Sequence, residues 1–245
     1  MKPSKIALLW LGGIVVATIV VFAVAARVNF GGGEEVDGQV SVQVGSDRGE
    51  SSTSSLDLSG FDSIEIKGRW TLTVTQGDDW QVELVHPENG SRDIDVSVHG
   101  GRLELSGARN GSLFGRSDAP LTANIVMPAL VELAAAGENR VAFSGFKGER
   151  LTIEAAGATD MTGEDCRYAT LDLSMAGAGN AQFEGIVVTD ADVEVAGATN
   201  VALTMDGGEL TGGLAGAGRI EYAGTVSREA VDVAGFGWVG PATGG

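Results

Sequence analysis

The sequence predicts an all-β fold, a single-stranded-type parallel β-helix or solenoid of about 20-residue rungs. A β-rich cap precedes the rungs, and one transmembrane or signal helix precedes the cap. Three observations carry this. Ala-Gly steps recur at Gly137, Gly157, Gly177, Gly197, Gly216 and Gly235, at spacings of 20, 20, 20, 19 and 19. Apolar and polar residues alternate with period two around each step, in phase from one repeat to the next. The chain holds 38 Gly but only 5 Pro among 245 residues. Together these place the glycines as regular corners inside a folded β body.

The N-terminal elements read as follows. Residues 1–5, "MKPSK", are a basic cytoplasmic segment. Residues 6–26, "IALLWLGGIVVATIVVFAVAA", are 21 residues without a charge. At about 1.5 Å per residue they span about 30 Å, the thickness of a hydrocarbon core. A retained anchor is favoured over a cleaved signal, although "AVAA" at 23–26 offers small residues of the cleavage-site kind. Lys2 and Lys5 hold the N-terminus in the cytoplasm, so the body is exported. Residues 27–59 are rich in Gly, Ser and acid and read as a flexible spacer, with one alternating patch at Val40, Val42 and Val44.

Residues 60–128 form a β-rich N-terminal part. "SIEIKGRWTLTVTQGDDWQVELVH" and "DIDVSVHGGRLELSG" both alternate. Gly100-Gly101 reads as a hairpin turn, and Asn89-Gly90 and Asn110-Gly111 as tight turns.

Residues 129–245 hold the rungs. Four residues before the Gly stand Leu133, Ile153, Leu173, Val193 and Val231, a stacked apolar core weakened at Gly212. Two before stand Ala135, Ala155, Met175, Val195, Leu214 and Val233. Between these columns lie Glu132, Thr152, Asp172 and Asp192, then Glu154, Ser174, Glu194 and Asp232. Beyond the corner the alternation resumes at Val141, Met161, Ala181, Val201, Ile220 and Val239, then at Phe143, Gly163, Phe183, Leu203 and Tyr222. A helix would need a period near 100° and would lose about 1 kcal/mol per interior Gly. A single rung cannot bury its own apolar face, but stacking rungs about 4.8 Å apart joins like side chains into one core. Glu229 breaks the outermost apolar column, so the last rungs should face solvent.

Chemistry is sparse. Formal net charge is −17, and beyond residue 30 the balance is 13 basic against 33 acidic, or −20. Such a body repels phosphate backbones, so no nucleic-acid partner is expected. One cysteine, Cys166, forms no intrachain disulfide, and His86 and His99 are far from it in sequence. "GFGWVG" at 235–240 fits G-x-G-x-x-G, but "PATGG" follows where a nucleotide site needs a helix. Asp160, Asn180 and Asn200 fall three residues after their glycines and form a corner ladder. Turn stabilisation explains them better than calcium, which wants several carboxylates. No catalytic, cofactor-binding or metal-binding residue is assigned, and no cofactor is expected.

At this point the residues match a family. "SGFDSIEIKGRWTLTVTQGDDWQVEL" at 59–84, "GGRLELSG" at 100–107, "LTANIVMPALVELAAAGENRV" at 121–141 and the "AGAGNA", "AGATNV" and "AGAGRI" steps resemble the putative auto-transporter adhesin head GIN domain family. The Gly-Ile-Asn-like corner would be Gly179-Asn180, Thr199-Asn200 and Gly218-Arg219. The resemblance implies a bacterial extracytoplasmic β-solenoid without established catalytic residues. No run of amphipathic barrel strands is seen before Gly245, so self-translocation across an outer membrane is not expected.

The expected function is that of a non-enzymatic envelope protein, adhesin-like, ligand-binding or scaffolding. Its expected partners are the membrane, through residues 6–26, and a glycan or an envelope protein. The body sits in the periplasm on an inner-membrane anchor, or at the cell surface if the segment is cleaved. Alternatives are a membrane-anchored envelope-stress or regulatory component, and a glycan-active enzyme using outward acids such as Asp172 and Asp192.

Overall fold

A computed structural model describes residues 39–43, 52–86, 93–107 and 120–242. Within them the chain forms one mixed sheet of 12 strands and is all-β. The strands are β1 Gln39–Gln43, β2 Ser52–Leu56, β3 Ser63–Gln76, β4 Gln81–His86, β5 Asp93–His99, β6 Arg102–Gly107, β7 Leu121–Met127, β8 Glu132–Ser144, β9 Lys147–Glu164, β10 Cys166–Asp206, β11 Glu209–Thr225 and β12 Arg228–Pro241. The apolar segment at 6–26 and the turn pairs at 89–90 and 110–111 lie outside the described residues. Among the described residues no helix is long and apolar enough to cross a membrane.

From β8 onward every pairing is parallel and in register. Leu133 lies on Ile153 and Gly137 on Gly157, an offset of 20 residues. Leu171 lies on Leu151 and Gly177 on Gly157 at the same offset. The offset becomes 19 between β10 and β11, where Gly197 meets Gly216, and between β11 and β12, where Gly216 meets Gly235. Stacking like on like puts Leu133, Ile153, Leu173 and Val193 in one column, each buried. Burying a side chain of this size contributes about 1.5–3 kcal/mol, so the columns are the main source of stability. Val231, the last member, is only half-buried because nothing stacks beyond β12 among the described residues.

The glycine column has a steric cause. At Gly157 φ is +117°, and a Cβ there would lie 2.2 Å from the carbonyl oxygen of Gly137. The same contact recurs at Gly177, whose Cβ would meet the Gly157 oxygen at 2.1 Å. Each corner therefore turns its missing side chain onto the backbone of the rung below, and only Gly fits. Gly163, a gap in its apolar column, has a different cause. The rings of Phe143 and Phe183 close over it edge to face at 5.6 Å, and Ile186 Cδ1 would lie 2.4 Å from its Cβ.

The N-terminal part joins the same stack. β3 pairs in parallel with β8, Gly68 lying on Gly137, so "IEIKGRW" is itself a rung. Its other edge is shared by β6, on Ser63–Lys67, and β7, on Trp70–Gln76. Antiparallel strands then close this end: β5 and β1 beyond β6, and β4 and β2 beyond β7. The β5–β6 turn is Gly100-Gly101, with φ of +56° and +79°. Two short strands fall inside 27–59, the segment expected to be a flexible spacer. Val40 and Val42 pair with Val96 and Ile94, and Ser52–Leu56 with Val82–His86. Open edges on β5 and β4 offer each a partner; β1 also alternates at Val40 and Val42, whereas β2, "STSSL", does not.

Candidate functional site: the acidic outer face

Over residues 133–135, 153–155, 173–175 and 193–195, odd-numbered side chains fill the interior and even-numbered ones lie on the opposite, outer face, where Ala134 and Glu154 are themselves buried. Two polar columns run along that face. One holds Glu132, Thr152 and Asp172, continuing through Asp192 to Thr211. The other holds Glu65, Ala134, Glu154 and Ser174, then Glu194, Gly213 and Asp232. In the second column a small residue separates each acid from the next. Directly stacked like charges would repel at about 4.8 Å, and the alternation doubles that separation.

Compensation along the face is uneven. Glu65 is buried and holds Lys67 Nζ at 2.8 Å and Arg102 Nη1 at 3.9 Å. The same Arg102 reaches Glu132 at 2.7 Å. Asp172 pairs with Arg150. Further along, Asp192 takes only a hydrogen bond from Thr211 Oγ1, at 2.8 Å. No basic side chain pairs with Glu194 or Asp232 among the described residues. Burial first, then the charges of Asp192 and Asp232, push the Glu194 carboxyl above its ordinary value.

The sign of that shift fixes a pH dependence. A raised folded-state value means the charged form costs stability, and the cost appears as pH rises from the unfolded value, about 4.3, through the folded one. Glu194→Gln is therefore expected to raise the melting temperature at pH 7. The gain should vanish below about pH 4, where the carboxyl is neutral in both states. Thermal melts across that range check it.

The corner column lies outside this face. Asn180 Nδ2 donates to Asp160 Oδ1 at 2.8 Å, and Asn200 Nδ2 donates to Asn180 Oδ1 at 3.1 Å. The amides point one way along the stack, toward the anionic end at Asp160. Arg140 lies in register below and Arg219 above. Asn180→Ala breaks both bonds of an exposed ladder. Its expected cost is about 1–2 kcal/mol, measured by denaturant titration.

The cysteine offers no activated thiol. Cys166 is buried, its Sγ donates to Glu164 O at 3.2 Å, and burial pushes the thiol up, away from thiolate. Between its strand and β5, which ends in His99, lie β6, β3, β8 and β9. Residues 235–240 lie within strand β12. No group of three or more His, Cys, Asp or Glu side chains could hold a metal ion among the described residues. The corner hollow lined by Gly157, Thr159, Gly177 and Thr199 is open to solvent and too shallow to enclose even a water-sized volume. Small-molecule sites run to about 300–1,000 Å³. What the face offers is a rigid array of acceptors and negative charge, suited to cations and to hydroxyl or amine donors.

Sequence reasoning named the acids but not their pairing or their uneven compensation. Arg102 and Lys67 come from β6 and β3, whose place in the stack a 20-residue period does not show.

The family described as "Putative auto-transporter adhesin, head GIN domain" matches residues 60–198. No curated protein matches the chain. Among solved structures, a putative adhesin from Bacteroides fragilis NCTC 9343 aligns with a TM-score of 0.60 at 16% identity, covering 79% of this chain and 97% of the other. A putative adhesin from Parabacteroides merdae ATCC 43184 aligns with a TM-score of 0.44 at 16% identity, covering 80% and 97%. A putative lipid binding protein from Parabacteroides distasonis ATCC 8503 aligns with a TM-score of 0.39 at 14% identity, covering 80% and 98%. At such identities the first likeness is one of fold.

Proposed function

The chain belongs to the putative auto-transporter adhesin head GIN domain family, and from that premise we propose a non-enzymatic, adhesin-like module of the bacterial envelope. Residues 6–26 anchor it in the inner membrane, and a β-solenoid holds its acidic outer face toward a partner in the periplasm. That partner is a glycan or an envelope protein presenting amines, guanidinium groups or hydroxyls. The observation that carries this reading is the uncompensated patch of Asp192, Glu194 and Asp232, on a face otherwise neutralised by Arg102, Lys67 and Arg150. Rigid strands carry it, so binding costs little ordering entropy.

The experiment is site-specific photocrosslinking in cells making the full chain. A benzophenone side chain at position 192 should give a discrete crosslinked species. Glu194→Lys with Asp232→Lys should remove it while circular dichroism stays unchanged. The same species from a crosslinker at position 178, on the corner, or none from either position, would defeat the reading. Polysaccharide turnover lost on substitution of Asp172 or Asp192 would move it to a glycan-active enzyme.

A further inference from the structure

The two ends of the stack are unlike. Antiparallel strands close one end, whereas β12 pairs only with β11 among the described residues. Four large hydrophobic side chains are exposed among the described residues, and three are on β12: Val233 at 44%, Phe236 at 93% and Trp238 at 45%. Sheet edges are ordinarily blunted by charge or by a bulge. Here Val233 to Pro241 carries no charge at all, in a chain of net charge −17.

We propose that the edge of β12 joins a second copy of this chain, tail to tail, by antiparallel pairing about Trp238. Charge selects the occupant. Two strongly acidic bodies meet at low cost through an uncharged stretch, and although the edge strands β1 and β2 are uncharged as well, Val233 to Pro241 adds the exposed Phe236 and Trp238 to bury. A two-fold arrangement also closes the contact, since the same edge serves both copies.

Backbone geometry fits this register. Ala242 donates its N–H to Tyr222 O at 2.8 Å, toward β11. Alternation along the strand then turns Gly237 and Val239 to the free edge. Pro241 has the same parity, so the N–H it lacks is one the edge would otherwise expose. Pairing about Trp238 sets Gly237 against Val239 of the second copy, both hydrogen-bonding outward. Trp238 meets its own copy at a non-hydrogen-bonded site, where side chains come closest. Phe236 falls opposite Gly240 of the second copy, where that copy's own Trp238 ring lies 2.8 Å from the Cβ position of Gly240, so the two rings would meet there.

The test is light scattering after size exclusion on the full chain in detergent micelles, over a broad dilution series. The expected protein mass is twice the 25.0 kDa of one chain. Phe236→Lys with Trp238→Lys should halve it without changing circular dichroism. A monomer throughout, an open series beyond the dimer, or a dimer that survives the double substitution would overturn the proposal; the last would place association elsewhere, for instance at 6–26. Register is tested by Trp238→Cys. Cβ atoms about 4.5–5.5 Å apart lie at the edge of disulfide reach, so oxidation should give a reducible dimer, and Phe236→Cys should not. A Phe236→Cys dimer forming in preference would overturn the pairing.

Discussion

Gly157→Ala is expected to abolish cooperative folding of the stack. The added Cβ would lie 2.2 Å from the Gly137 oxygen and 3.0 Å from its carbonyl carbon. Those atoms are backbone, held by the strand pairing of a whole rung, so neither side can yield locally. The residue would also sit at φ +117°, which L side chains avoid at about 1–2 kcal/mol. Parting two rungs costs hydrogen bonds and column contacts together. We expect a loss above about 4 kcal/mol, much of the 5–15 kcal/mol that a domain typically has. Gly60→Ala is the control. Its φ is +78° but nothing lies within 4 Å of its Cβ, so only the backbone term of about 1–2 kcal/mol applies. Far-UV circular dichroism during denaturant titration separates them. Equal losses would mean that the rungs do not touch at the glycines.

Leu173→Asp should be as severe, for a different reason. Leu173 is 2% exposed, in the column with Ile153 and Val193. Truncating such a side chain costs about 2–5 kcal/mol, and a carboxyl adds its own desolvation. Asp172→Asn, one residue away, should cost at most about 1 kcal/mol, because it breaks only the exposed pair with Arg150. Thermal melts of the two variants test the inside/outside phase of the strands directly. Similar melting temperatures would mean the phase is misassigned.

The repeats were legible because stacking in register writes the same constraint into each rung. Leu133, Ile153 and Leu173 must match in kind, and Gly137, Gly157 and Gly177 must lack a Cβ. Those requirements appear in the sequence as columns at spacings of 20. The rung of β3 was not legible as one. Gly68 lies 69 residues before Gly137, because β4 to β7 intervene. The clue was there: "IEIKG" and "LELSG" share the alternation into glycine, and Ile64 and Leu103 are in register. The outer face was partly legible. Its acids share a face by phase, but a column says neither that Glu65 and Glu154 are buried there nor where long-range cations lie. Arg102 reaches Glu132 across 30 residues, and no local pattern encodes that contact. The Asp160, Asn180 and Asn200 column was visible in sequence, and the structure adds the direction of its hydrogen bonds. The spacer at 27–59 rests on composition, which does not reveal that a free edge on β5 or β4 can recruit a short stretch such as "QVSVQ" or "STSSL".

The central claim is that the acidic body is held outside the cytoplasm on its N-terminal segment. Protease treatment of cells making the full chain, probed for the 60–240 body, tests this most directly. The account predicts a membrane-bound protein protected in intact cells and digested once the outer membrane is opened, with the inner membrane sealed. Protection that persists until the inner membrane is lysed would contradict it.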